Sequence, residues 1–218
     1  MGKAFQDYSE NARKLLIAAE RLIGKHGIEG VSLRQINAAA GHANNSAAQY
    51  HFGSKDGLII AAYEMRLPLL DSVRRDWFEE IEARRQPGLE DLLAALLLPI
   101  VDSLKEPVRT TFAMFGLRTL DSNLSERFGS ESFSPTLGLI NSTLRASLPE
   151  LPDEIYSIRY RMAIRLFLNG FLEQKRQHHV EPALPIDVEL FWDEIFQAAV
   201  SVFRGPFPAN PRPKREPV

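Results

Sequence analysis

Wherever apolar residues cluster in this sequence they return every three or four positions, and no segment alternates with the two-residue period of a half-buried strand. That pattern restricts the chain to an all-α fold. The clearest case follows Ser9, a candidate N-cap, where NARKLLIAAERLIGKHG sets Leu15, Leu16, Ala19, Leu22 and Ile23 on one helical face. Gly27 ends that helix, because glycine enters the left-handed region without a steric penalty. Ser32-Leu33-Arg34-Gln35 has the spacing of a capping box and predicts a short helix from Leu33 to Ala40. Gly41 stops it, and Asn44 or Asn45 can cap another short helix ending near Phe52. Ser54 then caps a longer one that carries Leu58, Ile59, Ala62 and Tyr63, runs to about Arg84 and should kink at Pro68. The pattern predicts further helices over about Leu89 to Leu104 (with Pro99 inside), Pro107 to Leu120, Pro135 to Leu148, Asp153 to about His178, and Asp187 to about Arg204. The total is about nine helices without an internal repeat. The polar stretch from Asp121 to Ser134 reads as a loop. The tail GPFPANPRPKREPV is too rich in proline and too poor in apolar residues to pack, and disorder is expected there.

The 218 residues are 44% hydrophobic, enough for a real core in one or two domains. No window approaches the roughly 18 uninterrupted apolar residues of a membrane span. MGKAFQDYSENARK lacks the apolar centre of a signal peptide, so a cytoplasmic location without membrane contact is expected. The absence of cysteine excludes disulfides, thiol nucleophiles and cysteine-ligated metals. The net charge of -2 makes no global case for a nucleic-acid partner, but the charge is unevenly placed. Up to Lys55, seven basic residues (Lys3, Arg13, Lys14, Arg21, Lys25, Arg34, Lys55) stand against four acidic ones (Asp7, Glu10, Glu20, Glu29), giving +3 and leaving -5 for the rest. A mildly basic N-terminal module precedes an acidic body.

Two short helices across the Gly41 turn make a helix-turn-helix candidate. The run LLIAAERLIGKHGIEGVSLRQINAAAG followed by YHFGSKDGLIIAAYE, about Leu15 to Glu64, resembles the N-terminal DNA-binding region of TetR-type transcriptional regulators. The features shared are an apolar first helix, a Gly-x-x-x-[Thr/Ser] connection and a Tyr-x-Phe-x-x-Lys ending. The resemblance implies three helices in residues 1–54 that bind DNA, a helical ligand-binding and dimerisation domain over 55–204, and the tail at 205–218. It makes the helix from Asn45 to about His51 the recognition helix. Ser32, Arg34, Tyr50, His51 and Lys55 then match positions used for phosphate or base contacts, and Asn44, Asn45, Ser46 and Gln49 join them as candidate readers. Small amides and hydroxyls fit the end of a helix that enters a major groove, and Lys55 can share a phosphate with the N-terminus of the following helix. Two departures stand out: one extra residue between Gly41 and Phe52, and Gln49 where many members carry tyrosine. Taken singly, Tyr50 could equally be a half-buried packing residue, His51 a structural histidine, and Asn44 and Asn45 caps.

The last two helices are apolar on more sides than a small bundle requires. The resemblance implies a homodimer through them, with Ile158, Met162, Leu166, Gly170, Ile195, Ala199 and Val202 at the contact and the small residues Gly170, Ala198 and Ala199 allowing close approach. It further implies a pocket for a small apolar or amphipathic effector, for which Trp77, Phe78, Phe112, Phe115 and Arg118 are candidates; aromatics at such spacing also simply fill cores. The expected function is a ligand-responsive repressor that binds a palindromic double-stranded DNA operator as a dimer. The alternatives are an architectural or division-associated DNA-binding protein without an effector and, from another class, a helical enzyme. Against an enzyme, no nucleophile elbow, phosphate loop or His-Glu-x-x-His pattern is present. His178 and His179, near Glu173 and Glu181, would point about 100° apart on a helix and chelate poorly. No catalytic residue, metal site or cofactor is expected.

Overall fold

A computed structural model describes residues 3–42, 44, 46–83, 87–122, 124, 134–177 and 187–206. After a 3-10 turn at Phe5–Asp7, eleven α-helices follow among these residues: α1 Glu10–His26, α2 Leu33–Ala39, α3 Ala47–Phe52, α4 Lys55–Glu64, α5 Leu67–Ala83, α6 Leu89–Leu97, α7 Pro99–Ser103, α8 Val108–Leu120, α9 Pro135–Ala146, α10 Asp153–Gln177 and α11 Val188–Arg204. Ser9 caps α1 by accepting the Ala12 N-H, and Gly27 closes it at φ 78°. The capping box at α2 is formed, with the Ser32 N-H donating to Gln35 Oε1 at 2.8 Å and the Gln35 N-H to Ser32 Oγ at 3.3 Å.

Two helices expected to be continuous are divided, which turns about nine into eleven. Both breaks have the same cause. Pro68 has no N-H to give the Glu64 carbonyl and its ring crowds that turn, so the regular helical hydrogen bonding lapses at Met65–Arg66, where the Arg66 N-H goes to the Tyr63 carbonyl, and resumes with the helix from Leu67. Pro99 likewise becomes the first residue of α7 instead of an interior residue of α6. The loop expected at Asp121–Ser134 falls mostly, and the tail from residue 207 wholly, outside the described residues, as do Asn45 and the ends expected at Arg84 and His178.

The buried residues form two apolar clusters. One joins α1–α4, with Leu15, Leu16, Ile23, Ile36, Leu58 and Ile59 fully buried, each contributing about 1.5–3 kcal/mol. Phe115 of α8 belongs to this cluster, although it lies far along the chain. The other fills the space among α5–α11. α8 connects the two by packing on α1 and on α10. Gly24 sets the first of those contacts, since a Cβ there would lie 3.1 Å from Met114 Cβ and 3.2 Å from the Phe115 nitrogen. Tyr63 of α4 packs against both clusters. Gly170 has the same role as Gly24 between α10 and α11: an added Cβ would approach Ile195 Cγ2 to 2.9 Å and Trp192 Cζ3 to 3.1 Å.

Candidate nucleic-acid interface

Short helices such as α3 hold little stability of their own, so their position has to be imposed from outside. Asn37 imposes it. This residue lies at the core-facing side of α2, fully buried, and its Oδ1 accepts the Ala48 N-H at 2.9 Å, one of the first-turn donors of α3 that has no partner within the helix. Its carbonyl accepts the His42 N-H at 2.9 Å. One residue, through its side-chain and backbone carbonyls, thus fixes the turn at both ends, and Ala48, also fully buried, seats α3 on the cluster beneath. At the other end Gly53 takes φ 74° and donates its N-H to the Gln49 carbonyl, which stops α3 and turns the chain into α4.

Held this way, α3 turns Gln49, Tyr50 and His51 to solvent. Tyr50 is 85% exposed, which settles its position against the half-buried alternative. Its ring stands edge-on to that of His51, 5.3 Å between centroids. Asn44 has a local use: its Oδ1 accepts both the N-H of Ser46 at 2.9 Å and its hydroxyl at 2.7 Å, in the manner of an Asx turn. Ser46 occupies the N-cap position without capping α3 by its side chain. Asn45 lies outside the described residues. Arg34 and Ser32 are exposed at the start of α2. Lys55 is the first residue of α4, half-buried, where the Ser54 Oγ accepts the Gly57 N-H at 3.0 Å. The described candidates therefore sit on the exposed parts of α2, α3 and the start of α4, around the turn that Asn37 holds.

A second fixture ties this unit to the body. Glu20, on the apolar face of α1 and only 1% exposed, meets Arg66 in the break between α4 and α5 through a two-point pair, Arg66 Nη2 to Oε2 at 2.7 Å and Nε to Oε1 at 3.2 Å. Burial pushes the Glu20 carboxyl above its ordinary range, while the hydrogen bond and charge of Arg66 pull it back. Sequence reading missed Asn37 and Glu20, yet both left the same mark. Asn37 falls among Leu33, Ile36 and Ala40, and Glu20 among Leu16, Ala19 and Ile23, at helical spacing on an apolar stripe.

The residues expected to line an effector pocket are dispersed. Phe78 and Phe112 are buried in the body cluster with Trp77 packed beside it, and Phe115 lies in the N-terminal cluster. Arg118 is exposed and lines an open concavity of about 370 Å³ between α1, α8 and α10. Of the residues expected between copies, Ile158 and Met162 are 45% and 51% exposed, and Leu166, Ile195 and Val202 are half-buried. Gly170 and Ala199 are buried, and Gly170 is occupied with the contact between α10 and α11 of the same chain. Glu173 pairs with Arg176 at 2.8 Å, while His178, His179 and Glu181 lie outside the described residues. No described helix is long and apolar enough to cross a membrane.

The family model described as bacterial regulatory proteins, tetR family, matches residues 15–62, the span from the core of α1 to α4. No curated protein matches the chain. Among solved structures, a transcriptional-regulator candidate from Pseudomonas aeruginosa PAO1 is 19% identical over 92% of both chains at a TM-score of 0.47. A TetR-family regulator from Streptomyces coelicolor A3 is 21% identical, over 90% of this chain and 96% of that one, at a TM-score of 0.39. Similarity at that level leaves the arrangement of the body helices to be read from this chain alone. Residues 15–62, with α3 held against α2 by a buried asparagine, are a helix-turn-helix domain of the tetR family of bacterial regulatory proteins.

Proposed function

We propose that this chain is a sequence-specific transcriptional regulator that binds a palindromic operator as a homodimer and is released from it by a small molecule. The observation that carries the reading is the exposed face of α3, where Gln49, Tyr50 and His51 project from a helix whose other side is locked by Ala48 and Asn37. An aromatic ring left 85% in water gains nothing for the monomer, but at a groove it offers an apolar face and a hydroxyl together. Gln49 can present both amide functions to an adenine edge, and Arg34 and Lys55 flank the helix as phosphate partners. With the Asn44 side chain engaged by Ser46, base readout falls mainly to Gln49, Tyr50 and His51.

On this reading residues 1–54 bind DNA and 55–204 form the body. The exposed Ile158 and Met162 on α10 would meet a second copy, and a twofold dimer would place two α3 helices roughly 34 to 36 Å apart, one helical turn of DNA. Tyr63, in contact with both clusters, and the Glu20–Arg66 pair are where a ligand in the body would act on that spacing. The ligand acts only as far as it binds the released state better than the DNA-bound one. The test is replacement of Tyr50 and Lys55 by alanine. Affinity for operator DNA should fall steeply with thermal unfolding and dimerisation unchanged, and unaltered affinity would remove both residues from the interface.

A further inference from the structure

Among the described residues, one guanidinium buried in the body has no ion-pair partner. Arg74 of α5 is 5% exposed within the body cluster; its Nε donates to the Leu96 carbonyl at 3.3 Å, and its Nη1 is buried without a hydrogen-bond partner. No carboxylate stands within ion-pair distance of it among the described residues. The acid one turn earlier, Asp71, is committed elsewhere, to the Ser134 hydroxyl, the Thr136 N-H at 3.2 Å and hydroxyl at 3.0 Å, and Arg75 at 3.7 Å. Burying a cation without an ion pair is among the most expensive arrangements a fold can keep, and the Leu96 carbonyl and the more distant charge of Asp71 offset only part of it, since Nη1 is left without a partner.

Tyr63 and Tyr160, each partly buried against the body cluster, lie close enough to Arg74 to feel its charge. Burial holds both phenols neutral, so they remain hydrogen-bonding hydroxyls. The ring of Tyr63 is stacked on Phe112 at 6.0 Å, and Trp77 lies one turn beyond Arg74 on α5. Here a forked cation and two phenols are set among aromatic walls. The fork matches a carboxylate, and the walls match an apolar frame attached to it.

We propose that Arg74 is the receptor for the anionic head of the effector, and that the effector is a small carboxylate with an apolar body. This rests on the ligand-responsive reading above and narrows it. It also replaces Arg118, which faces outward, as the polar anchor. Pairing a ligand at Arg74 with Tyr63 would act one turn from the Arg66 clamp, on the helix that carries the DNA-binding unit.

The experiment uses the full chain with octanoate and benzoate as probes, and octanamide and benzamide as their neutral counterparts. Thermal unfolding and calorimetric titration are compared for wild type, Arg74→Met and Arg74→Lys. Wild type should bind the carboxylates at least about tenfold tighter than the amides, a preference expected of charge-assisted hydrogen bonds. Arg74→Met should lose the preference while unfolding no lower than wild type, because it removes an unpaired buried charge; Arg74→Lys should keep part of it. The assignment is overturned if wild type does not distinguish carboxylate from amide, if Arg74→Met distinguishes them as wild type does, or if Arg74→Met unfolds well below wild type. Operator release read in the same samples separates the two levels. Arg74-dependent carboxylate binding without release keeps the head-group assignment and removes the release mechanism, and release by the amides as readily as by the acids does the reverse.

Discussion

Replacing Arg66 with methionine keeps an unbranched, flexible side chain and removes the charge, so that Glu20, whose side chain is 2% exposed, loses its ion-pair partner. Breaking a buried pair in this way typically costs about 3–5 kcal/mol. Glu20 can limit the loss by taking up a proton. Each pH unit between its unperturbed pKa of about 4.3 and neutrality costs about 1.4 kcal/mol, so protonation caps the penalty at about 3.7 kcal/mol at pH 7. Burial already raises the Glu20 pKa in the folded protein, and removing Arg66, whose hydrogen bond and charge lower it, raises it further. A carboxyl with a raised folded pKa contributes its full stability below the unfolded value and loses it as pH climbs toward the folded value. The deficit of Arg66→Met relative to wild type should therefore be greatest at neutral pH and shrink as pH falls toward about 4.3. Chemical denaturation at a series of pH values measures it, with a Glu20→Leu/Arg66→Met double variant as reference. The double variant should recover most of the stability, since an apolar replacement of both partners leaves no buried charge. A loss below about 1 kcal/mol at pH 7, or one that does not diminish in acid, would refute the reasoning.

Asn37→Ala leaves the Ala48 N-H buried without its acceptor and should cost at least about 1–3 kcal/mol, together with a drop in operator affinity although no DNA-facing side chain has changed. Thermal unfolding and fluorescence anisotropy on labelled DNA check the two parts. Gly170→Ala brings a methyl group to 2.9 Å from Ile195 and 3.1 Å from Trp192, and should lower stability by about 1–3 kcal/mol in denaturant titrations. An unchanged midpoint would show that α10 and α11 separate freely. In the same assays the Tyr50→Ala chain, altered at a residue 85% in solvent, should unfold with wild type.

The helices were legible because their signals are local. Ser9, Ser32 and Ser54 act as caps at the positions their spacing implies, and Gly27, Gly41 and Gly53 all adopt positive φ where the chain must turn. Pro68 announced a kink and Pro99 stood inside a helix expected to be continuous, but both breaks precede the prolines, because the conflict lies with the carbonyl four residues earlier. The exposure of Tyr50 could not be read locally, since it depends on which side of α3 faces the cluster. Asn37, Glu20 and Arg74 were missed for one shared reason. Each is a polar side chain on an apolar stripe, and its partner lies across the fold, Ala48 on the next helix, Arg66 at a break 46 residues on, and Leu96 on α6. The small residues of the last two helices were read as room for a second copy, whereas Gly170 makes room for α11.

Genomic footprinting with the purified full chain tests the central claim, sequence-specific operator binding through α3, most directly. The expected result is protection of one or a few palindromic sites whose half-sites are about one helical turn apart, weakening as salt rises and absent with the Tyr50→Ala/Lys55→Ala chain. Protection without a common sequence, or a footprint that the double substitution leaves intact, would contradict it.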